Sequence, residues 1–251
     1  MNTVKDVLKS GKAVVGTGAG PDVNTAGFLS GAGFDFLLFD TQHSPVMPKE
    51  LGPAIAAMKG KKASPVVRVG DARADLILNA MDAGARGVIV PMINTKEEAE
   101  RVVRAVKYYP DGDRSNAGER GDWGQAFPNY RDYLDTANNE MLIVVMLETN
   151  QSLANIDEIC SVPGIDVLLI GPSDFSIELG VPLDYPSATY QAALDKVVAG
   201  ANRHGVAPGM YFIPPGMDPN FYVDKGFRFF TVPWAPFATK GVGDALAGIK
   251  R

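Results

Sequence analysis

The sequence predicts a single (β/α)8 TIM barrel, which is a closed parallel sheet surrounded by helices. Eight short apolar runs alternate with longer amphipathic stretches along the 251 residues. Continuous apolar strands separated by helices are typical of a parallel sheet that is buried on both faces. Eight such units in this length match a closed barrel better than an open doubly wound sheet. We therefore expect one barrel domain over residues 1–251.

The strand candidates are apolar runs with the lengths that buried strands have. They are residues 13–18, 34–40, 65–69, 87–91, 142–148, 165–171, 207–212 and 227–232. Stretches with helical spacing of apolar residues include 48–59, 74–83, 96–106, 152–160 and 190–204. Residues 16–20 contain three glycines but lack the G-x-G-x-x-G spacing, so a dinucleotide-binding fold has little support.

Composition and charge are those of an ordinary globular protein, with 46% hydrophobic and 21% charged residues. A net charge of −5 gives no electrostatic reason to expect nucleic acid or a membrane surface as a partner. The single cysteine, Cys160, excludes an internal disulfide and is expected to be a buried small hydrophobic residue. The first residues lack the apolar core of a signal peptide, and no apolar run has membrane-spanning length, so we expect a cytoplasmic protein.

One connection is longer and more polar than a barrel needs. Residues 108–127 are rich in glycine and charge and contain Arg114, Arg120 and Trp123. Loops of this length are often lids, binding loops or oligomer contacts, although a solvated surface loop is also compatible with the composition. A tryptophan among so many charges indicates that part of the loop is buried.

Two carboxylates stand where two different strands end. Glu148 closes the fifth apolar run, and Asp174 lies just beyond the sixth. A charge at such a position is costly unless something compensates it. Two acids close together either share a proton or hold a cation, and oxygen ligands suit a hard ion such as Mg²⁺ or Mn²⁺. Pairing with an arginine or capping of the next helix is the alternative for each acid.

Other polar residues also lie at the ends of strands, where barrel active sites form. The second strand ends in Asp40, followed closely by His43, a residue suited to proton transfer near neutral pH. Arg68 follows two valines in the third strand and needs an anion, either a carboxylate substrate or a neighbouring acid. Asp82 lies at a helix end that disfavours negative charge, which indicates a specific partner. The second histidine, His204, ends a helix and is expected to be structural.

Several chemistries are disfavoured by what the strand ends lack. None of the eight carries a lysine, so an aldolase that works through a Schiff base is not expected. The last two strands are not followed by a glycine-rich phosphate-binding turn, which favours an unphosphorylated substrate. The G-x-S-x-G elbow of serine hydrolases does not occur.

Six segments of the chain resemble, in order, those of the HpcH/HpaI aldolase family, which contains metal-dependent class II pyruvate aldolases. The segments are Asp40-Thr41-Gln42-His43-Ser44-Pro45, Pro65-Val66-Val67-Arg68, Leu78-Asn79-Ala80-Met81-Asp82-Ala83-Gly84-Ala85, Val90-Pro91-Met92, Glu148-Thr149 and Ile170-Gly171-Pro172-Ser173-Asp174. Each motif is only moderately specific, but together they cover nearly the whole chain.

The resemblance implies a role for each candidate residue. It implies that Glu148 and Asp174 hold a divalent metal ion (Mg, Mn or Co), which pyruvate or another 2-oxo acid chelates. It implies that Arg68 contacts the keto oxygen and that His43 and Asp82 form a proton-transferring pair. From its position near His43, we expect Asp40 to be a further orienting group. The substrate carboxylate is expected at the backbone of residues Gly171, Pro172 and Ser173.

Two positions depart from the family pattern. Gln42 stands where the family often has Glu, and Met146 stands where it often has Gln. Both lie beside the expected site, and Gln42 is expected to contact the substrate. The substrate range is therefore expected to differ from that of the members that degrade dicarboxylates.

The expected reaction is reversible cleavage of a 4-hydroxy-2-oxo acid to pyruvate and an aldehyde. Oxaloacetate decarboxylation and citrate-lyase-like cleavage of an acyl-CoA use the same enolate and remain alternatives, as does a noncatalytic barrel that binds a 2-oxo acid. The resemblance also implies a homo-oligomer, commonly a hexamer, with exchange of the C-terminal helix of residues 234–249 between subunits. Helical spacing alone is equally compatible with packing of this helix on its own barrel.

Overall fold

The computed structural model describes residues 3–249. Eight parallel strands follow one another in chain order around a closed barrel, which confirms the predicted fold. Each strand end lies within two residues of its predicted position. The strands are β1 (Val14–Ala19), β2 (Phe36–Asp40), β3 (Ser64–Arg68), β4 (Gly87–Val90), β5 (Leu142–Leu147), β6 (Val167–Ile170), β7 (Ala207–Met210) and β8 (Phe229–Thr231).

Helices surround the strands and cover their outward faces. They are α1 (Thr3–Lys9), α2 (Val23–Leu29), α3 (Gly52–Ala56), α4 (Ala74–Asp82), α5 (Lys96–Val106), α6 (Tyr130–Glu140), α7 (Asn150–Ala154), α8 (Ile156–Cys160), α9 (Pro172–Glu178), α10 (Ala188–Arg203), α11 (Pro219–Lys225) and α12 (Ala235–Ala247). The helix predicted over residues 152–160 is in fact two, because the chain bends at Asn155. Among residues 3–249, none of the helices has the length and apolar character needed to span a bilayer.

The barrel interior is filled by alternate residues of the strands. Phe36 and Phe229 stack there with ring centroids 4.4 Å apart. Gly16 makes room for this pair, because a Cβ atom at that position would lie 2.3 Å from the Phe36 ring. The remaining strand residues face the helices and form the larger core. The interior is therefore a packed core in which only the ends offer space for chemistry.

The first helix closes the amino end of the barrel. Val4 is fully buried, and Val7 and Leu8 pack against the interior cluster. Lys5 donates to the Met141 carbonyl at 3.1 Å and lies 2.9 Å from the carboxylate of Asp166. Apolar contacts and one ion pair thus hold α1 against the strand beginnings.

The long connection of residues 108–127 also lies at the amino end. Arg114 is buried and lies 3.3 Å from Asp82, at the end of α4. Asp122 accepts the backbone N–H of Gly60 at 2.8 Å. Trp123 is only 4% exposed and stacks on Arg86, just before β4, so the predicted burial is confirmed. These contacts place the loop opposite the strand ends of its own chain, where it cannot act as their lid.

The last helix differs from the others because it buries nothing against its own barrel. None of the residues of α12 is buried, and Phe237 and Val242 are 64% and 60% exposed. The helix predicted from the spacing therefore forms, but its apolar face stays exposed among residues 3–249 of one chain.

The expectation for the cysteine is confirmed. Cys160 is buried, and burial raises the pKa of its thiol to about 12. His204 is the C-cap of α10 and lies 3.0 Å from Asp157, and its structural role stays a prediction.

Candidate active site

Three charged side chains reach the interior at the carboxyl end of the barrel. Alternation along each strand explains this, because Asp40 follows Phe36 and Leu38 at two-residue spacing, and both are interior residues. Arg68 follows Val66 in the same way, and Glu148 follows Val144 and Met146. The three therefore form the last interior layer, above the packed core.

Asp40 and Arg68 form a two-point ion pair. They are direct partners in the register of β2 and β3. The Nε atom of Arg68 donates to Oδ1 of Asp40 at 2.9 Å, and Nη2 donates to Oδ2 at 2.6 Å. Burial opposes ionisation of Asp40, but the hydrogen bonds and charge of Arg68, with backbone donors at Gln42 and His43, hold its pKa below the ordinary value. Among residues 3–249, Arg68 donates through Nε and Nη2 but not through Nη1, which leaves that edge for a ligand.

The ring of Tyr211 stacks on the guanidinium of Arg68. It follows β7 directly, and its ring centroid lies 4.1 Å from Cζ of Arg68. Burial is the main reason why the pKa of its hydroxyl rises to about 12. The ring and the Asp40 carboxylate together fix a cation that is only 5% exposed.

Glu148 is the deepest acid of the site. It is 3% exposed, and its Oε2 atom accepts the backbone N–H of Met92 at 3.1 Å. Burial raises its pKa; the Met92 hydrogen bond and the Arg68 charge oppose this rise, and the Asp174 charge adds to it. A Cβ atom on Gly171 would lie 2.1 Å from Oε1, so the carboxylate occupies space that only glycine leaves open.

Asp174 lies in the first turn of α9, with its side chain exposed at the mouth of the barrel. Its charge reaches Glu148 strongly enough to affect the pKa there. Within residues 3–249, no third histidine, cysteine or acid joins them as a cluster. Two oxygen ligands with open space suit a hard divalent ion that keeps water or substrate as its other ligands, so the donor set fits Mg²⁺ or Mn²⁺.

His43 and Gln42 lie at the rim, just past the end of β2. The imidazole of His43 is exposed. No hydrogen bond of its ring is recorded within the described part of the chain. The expected orienting contact from Asp40 is absent there, and the Asp40 carboxylate instead accepts hydrogen bonds from Arg68 and from the backbone N–H of Gln42. Gln42 is half-buried, and its Oε1 atom is enclosed without a hydrogen-bond partner among the described residues.

Asp82 is not brought to this site by its own chain. It is the last residue of α4, a helix that runs back to the amino end before β4 begins. Its carboxylate instead lies 3.3 Å from Nη2 of Arg114, which also stacks on Tyr108. The specific partner predicted for Asp82 exists, but it is this arginine. A pair with His43 cannot form within one subunit.

The third group of predicted residues leads from β6 into α9. Gly171 is the N-cap of α9, and Pro172 is its first residue, with Ser173 next. Pro172 is buried, and Ser173 is half-buried at the mouth. These residues are brought together with Glu148 and Asp174, as expected from their position after the strand.

Sequence reasoning missed Tyr211 and Met92. Tyr211 is a polar aromatic residue directly after a strand, and the same rule that found Glu148 would have found it. Met92 acts through its backbone, so its identity carries no signal. Only its position after β4 marks it.

Comparison with known proteins gives one family. Residues 19–233 match the model of the HpcH/HpaI aldolase/citrate lyase family. The hydroxypyruvate/pyruvate aldolase of Roseovarius nubinhibens is 34% identical over 232 residues, which are 92% of this chain and 90% of that protein. The 4-hydroxy-2-oxo-heptane-1,7-dioate aldolase of Salmonella dublin is 32% identical and covers 92% of this chain and 88% of its own length.

A solved structure agrees with these relatives. The crystal structure of an HpcH/HpaI aldolase/citrate lyase family protein from Burkholderia cenocepacia superimposes with a TM-score of 0.85 at 29% identity. The match covers 98% of this chain and 100% of that one. The similarity therefore extends over the whole barrel and is not confined to the strand ends.

Proposed function

Since this chain belongs to the HpcH/HpaI aldolase/citrate lyase family, we propose that it cleaves a 4-hydroxy-2-oxo acid reversibly to pyruvate and an aldehyde, with a divalent metal ion. The carbon–carbon lyase class follows from aldolase relatives that match most of the chain. The observation that carries the proposal is the carboxylate of Glu148, buried beside Asp174 and facing the Arg68 cation.

Glu148 and Asp174 would hold the metal ion. When bound, Mg²⁺, Mn²⁺ or Co²⁺ supplies a Lewis acid that polarises the C2 carbonyl of the substrate. The pKa of Glu148 is raised mainly because its carboxylate is buried, which disfavours the charged form. A bound cation would stabilise that charge. Which of the three ions serves in the cell depends on availability as much as on these ligands.

Arg68 would place positive charge beside the keto oxygen. Asp40 engages the Nε and Nη2 edge of the guanidinium, and Tyr211 covers one face. The remaining edge is therefore held in one orientation before the substrate arrives. Preorganised charge of this kind stabilises a developing enolate oxygen without reorganisation during the reaction. The carboxylate of the 2-oxo acid would lie at the backbone of Gly171 and Ser173.

His43 would remove the proton from the C4 hydroxyl, either directly or through water. Its exposed position at the rim suits a base that acts on the outer part of the substrate. Gln42, with its enclosed and unpartnered Oε1 atom, would accept a hydrogen bond from the same region of the substrate.

A homo-oligomer would complete the site. Because His43 and Asp82 lie at opposite ends of one barrel, their pairing needs a second subunit. The exposed apolar face of α12 and its lack of buried residues favour exchange of this helix. We propose a hexamer, and light scattering that shows a stable, fully active monomer would contradict it. A cytoplasmic location stays a prediction.

The alternatives differ in how well the structure accommodates them. Oxaloacetate decarboxylation needs the same enolate and is expected as a side activity. Cleavage of an acyl-CoA needs a cationic nucleotide site. The loop from Arg114 to Arg120 is the candidate for one, but its Arg114 is buried against Asp82 and Tyr108. A noncatalytic barrel has no physical need for the acid pair together with Arg68 and His43.

Proton exchange at the methyl group of pyruvate tests the proposal. In deuterated water, proton NMR should show exchange that stops in chelator and returns with Mg²⁺, Mn²⁺ or Co²⁺. Retro-aldol cleavage should follow the same dependence. Exchange that survives complete removal of metal would contradict the proposed chemistry. Binding of metal and pyruvate without exchange would favour the noncatalytic alternative.

A further inference from the structure

The chain after β4 leaves the sheet for two residues and then rejoins it. Val90 is the last residue in register with β5. Beyond it, the backbone N–H of Ile93 donates to the carbonyl of Met146 at 3.1 Å. Pro91 and Met92 therefore bulge out of the ladder of hydrogen bonds. Pro91 has no N–H to lose, but the N–H of Met92 needs another acceptor.

Met92 meets that need in an unusual conformation. Its φ angle is 57°, in the left-handed region that residues with a side chain rarely occupy. The side chain is 48% exposed, so its burial does not explain the conformation. What the conformation achieves is the hydrogen bond from its N–H to Oε2 of Glu148 at 3.1 Å. Strained residues of this kind persist only where their surroundings hold them.

Asn94 is the group that holds Met92. Its Nδ2 atom donates to the Met92 carbonyl at 3.0 Å. Its Oδ1 atom accepts the hydroxyl proton of Thr149, the residue directly after Glu148. The backbone N–H of Asn94 is itself fixed by the Glu98 carboxylate at 2.7 Å. One side chain thus ties the loop after β4 to the loop after β5, on either side of the buried acid.

We propose that Asn94 is a positioning residue that holds Met92 in its left-handed conformation and thereby orients the Glu148 carboxylate. With Oε2 engaged by the Met92 N–H, Oε1 lies against Gly171, where no donor from residues 3–249 meets it. The carboxylate would then have Oε1 available to hold a metal ion. This inference rests on the metal role proposed for Glu148.

The test compares Mn²⁺ binding by isothermal calorimetry in four variants. Asn94→Ala should bind Mn²⁺ about 10-fold to 100-fold more weakly, the usual loss when a residue that orients a ligand is removed. Met92→Gly should bind within a few-fold of wild type, because glycine adopts a positive φ without strain. The double variant should recover most of the lost affinity. Asn116→Ala, which removes a side chain that organises the distant loop, is the matched control and should bind normally.

The possible outcomes distinguish failure of the proposed function from failure of the positioning role of Asn94. A wild-type protein that binds no Mn²⁺ contradicts the proposed function itself. Normal Mn²⁺ binding by Asn94→Ala overturns only the positioning role, as does a double variant that binds no better than Asn94→Ala. Thermal unfolding in chelator checks that each variant folds. Should Asn94→Ala fail to fold, Asn94→Ser, alone and with Met92→Gly, carries the same expectations.

Discussion

Each end of the barrel holds an acid that is at least partly buried, but the two ends compensate its charge differently. At the amino end, Asp166 accepts the backbone N–H of Ile143 at 2.9 Å and lies 2.9 Å from Nζ of Lys5. Burial raises the pKa of this carboxyl, and the charge of Lys5 opposes the rise. The acid has a donor and a counter-charge, and it anchors α1.

At the carboxyl end, Glu148 has one backbone donor and faces a second acid. Burial raises its pKa as well, and the charge of Asp174 adds to the effect. Since both acids shift in the same direction, the shift does not identify the functional one. The availability of the counter-charge does, because Arg68, whose charge acts on Glu148, is already paired with Asp40, so Glu148 depends on something that binds.

The largest effect on activity is expected when Glu148 is replaced by a neutral residue. Glu148→Gln should reduce metal-dependent cleavage by roughly 10³-fold or more, since several kcal/mol of metal assistance is lost. Asp174→Asn should behave in the same way. Circular dichroism should show a folded barrel in both, because no structural ion pair is broken. Near-normal turnover and metal affinity in either variant would remove the metal assignment.

His43 lies at the rim and is expected to matter for one step only. His43→Ala should slow aldol cleavage by about 10²-fold to 10⁴-fold, the usual cost of losing a general base. Decarboxylation of oxaloacetate needs no deprotonation of a hydroxyl, so it should be affected less. Parallel assays of the two reactions measure this difference, and equal losses would indicate that His43 only positions the substrate.

Substitution of Lys5 tests whether its ion pair with Asp166 at the amino end stabilises the fold. Lys5→Met should lower the free energy of unfolding by about 3 kcal/mol, because it removes a lysine whose side chain is only 10% exposed and which is the ion-pair partner of the partly buried Asp166. Turnover of the folded fraction should stay near wild type. The control is Lys62→Met, which breaks an ion pair with Asp35 whose lysine side chain is 55% exposed and should cost less than about 1 kcal/mol. Urea denaturation measures both, and an equal cost would contradict the comparison.

Substitution of two glycines distinguishes the functional carboxyl end of the barrel from its structural interior. A Cβ atom at Gly171 would collide with Glu148, whereas one at Gly16 would collide with the Phe36 ring. Gly171→Ala should therefore weaken Mn²⁺ binding with little change in stability. Gly16→Ala should cost about 1–3 kcal/mol of unfolding free energy through overpacking. Calorimetry and urea denaturation of both variants check this, and loss of stability without loss of Mn²⁺ affinity in Gly171→Ala would contradict it.

The smallest expected effect is a pH dependence at Asp40. Its folded-state pKa lies below the unfolded value, despite burial, because of Arg68 and two backbone donors. The unfolded chain therefore binds more protons in this range, and stability rises with pH. The advantage of wild type over Asp40→Asn should be complete above about pH 4 and vanish as the pH falls through the lowered pKa. Urea denaturation between about pH 2.5 and 6 measures it, and an advantage that grows on acidification would contradict the sign.

Much of the fold was predictable because buried parallel strands are apolar throughout. The site acids were predictable for a related reason, since a charge that follows such a run stands out. The pairing of Asp40 with Arg68 depends on the register between β2 and β3, which periodicity does not reveal. The left-handed turn at Met92 depends on backbone contacts with later segments, and its side chain gives no indication of it.

The position of Asp82 shows a different limit. Its sequence motif suggested a place beside His43, but the direction of α4 carries it to the other end of the barrel. Helices of a barrel run opposite to its strands, so the end of a helix and the end of a strand lie on opposite faces. A motif identifies a residue, whereas topology decides which subunit can use it.

The packed interior of the barrel has a kinetic consequence. Because the stacked rings of Phe36 and Phe229 fill the interior and Val4 of α1 covers its amino end, the candidate site opens only at the carboxyl end among the described residues. In the proposed reaction, pyruvate lies innermost, at Glu148 and Arg68, and the aldehyde lies toward the rim. Both fragments must leave by the route through which the substrate entered. The aldehyde would therefore depart first and pyruvate last, an order of release imposed by the packed side chains beneath the site.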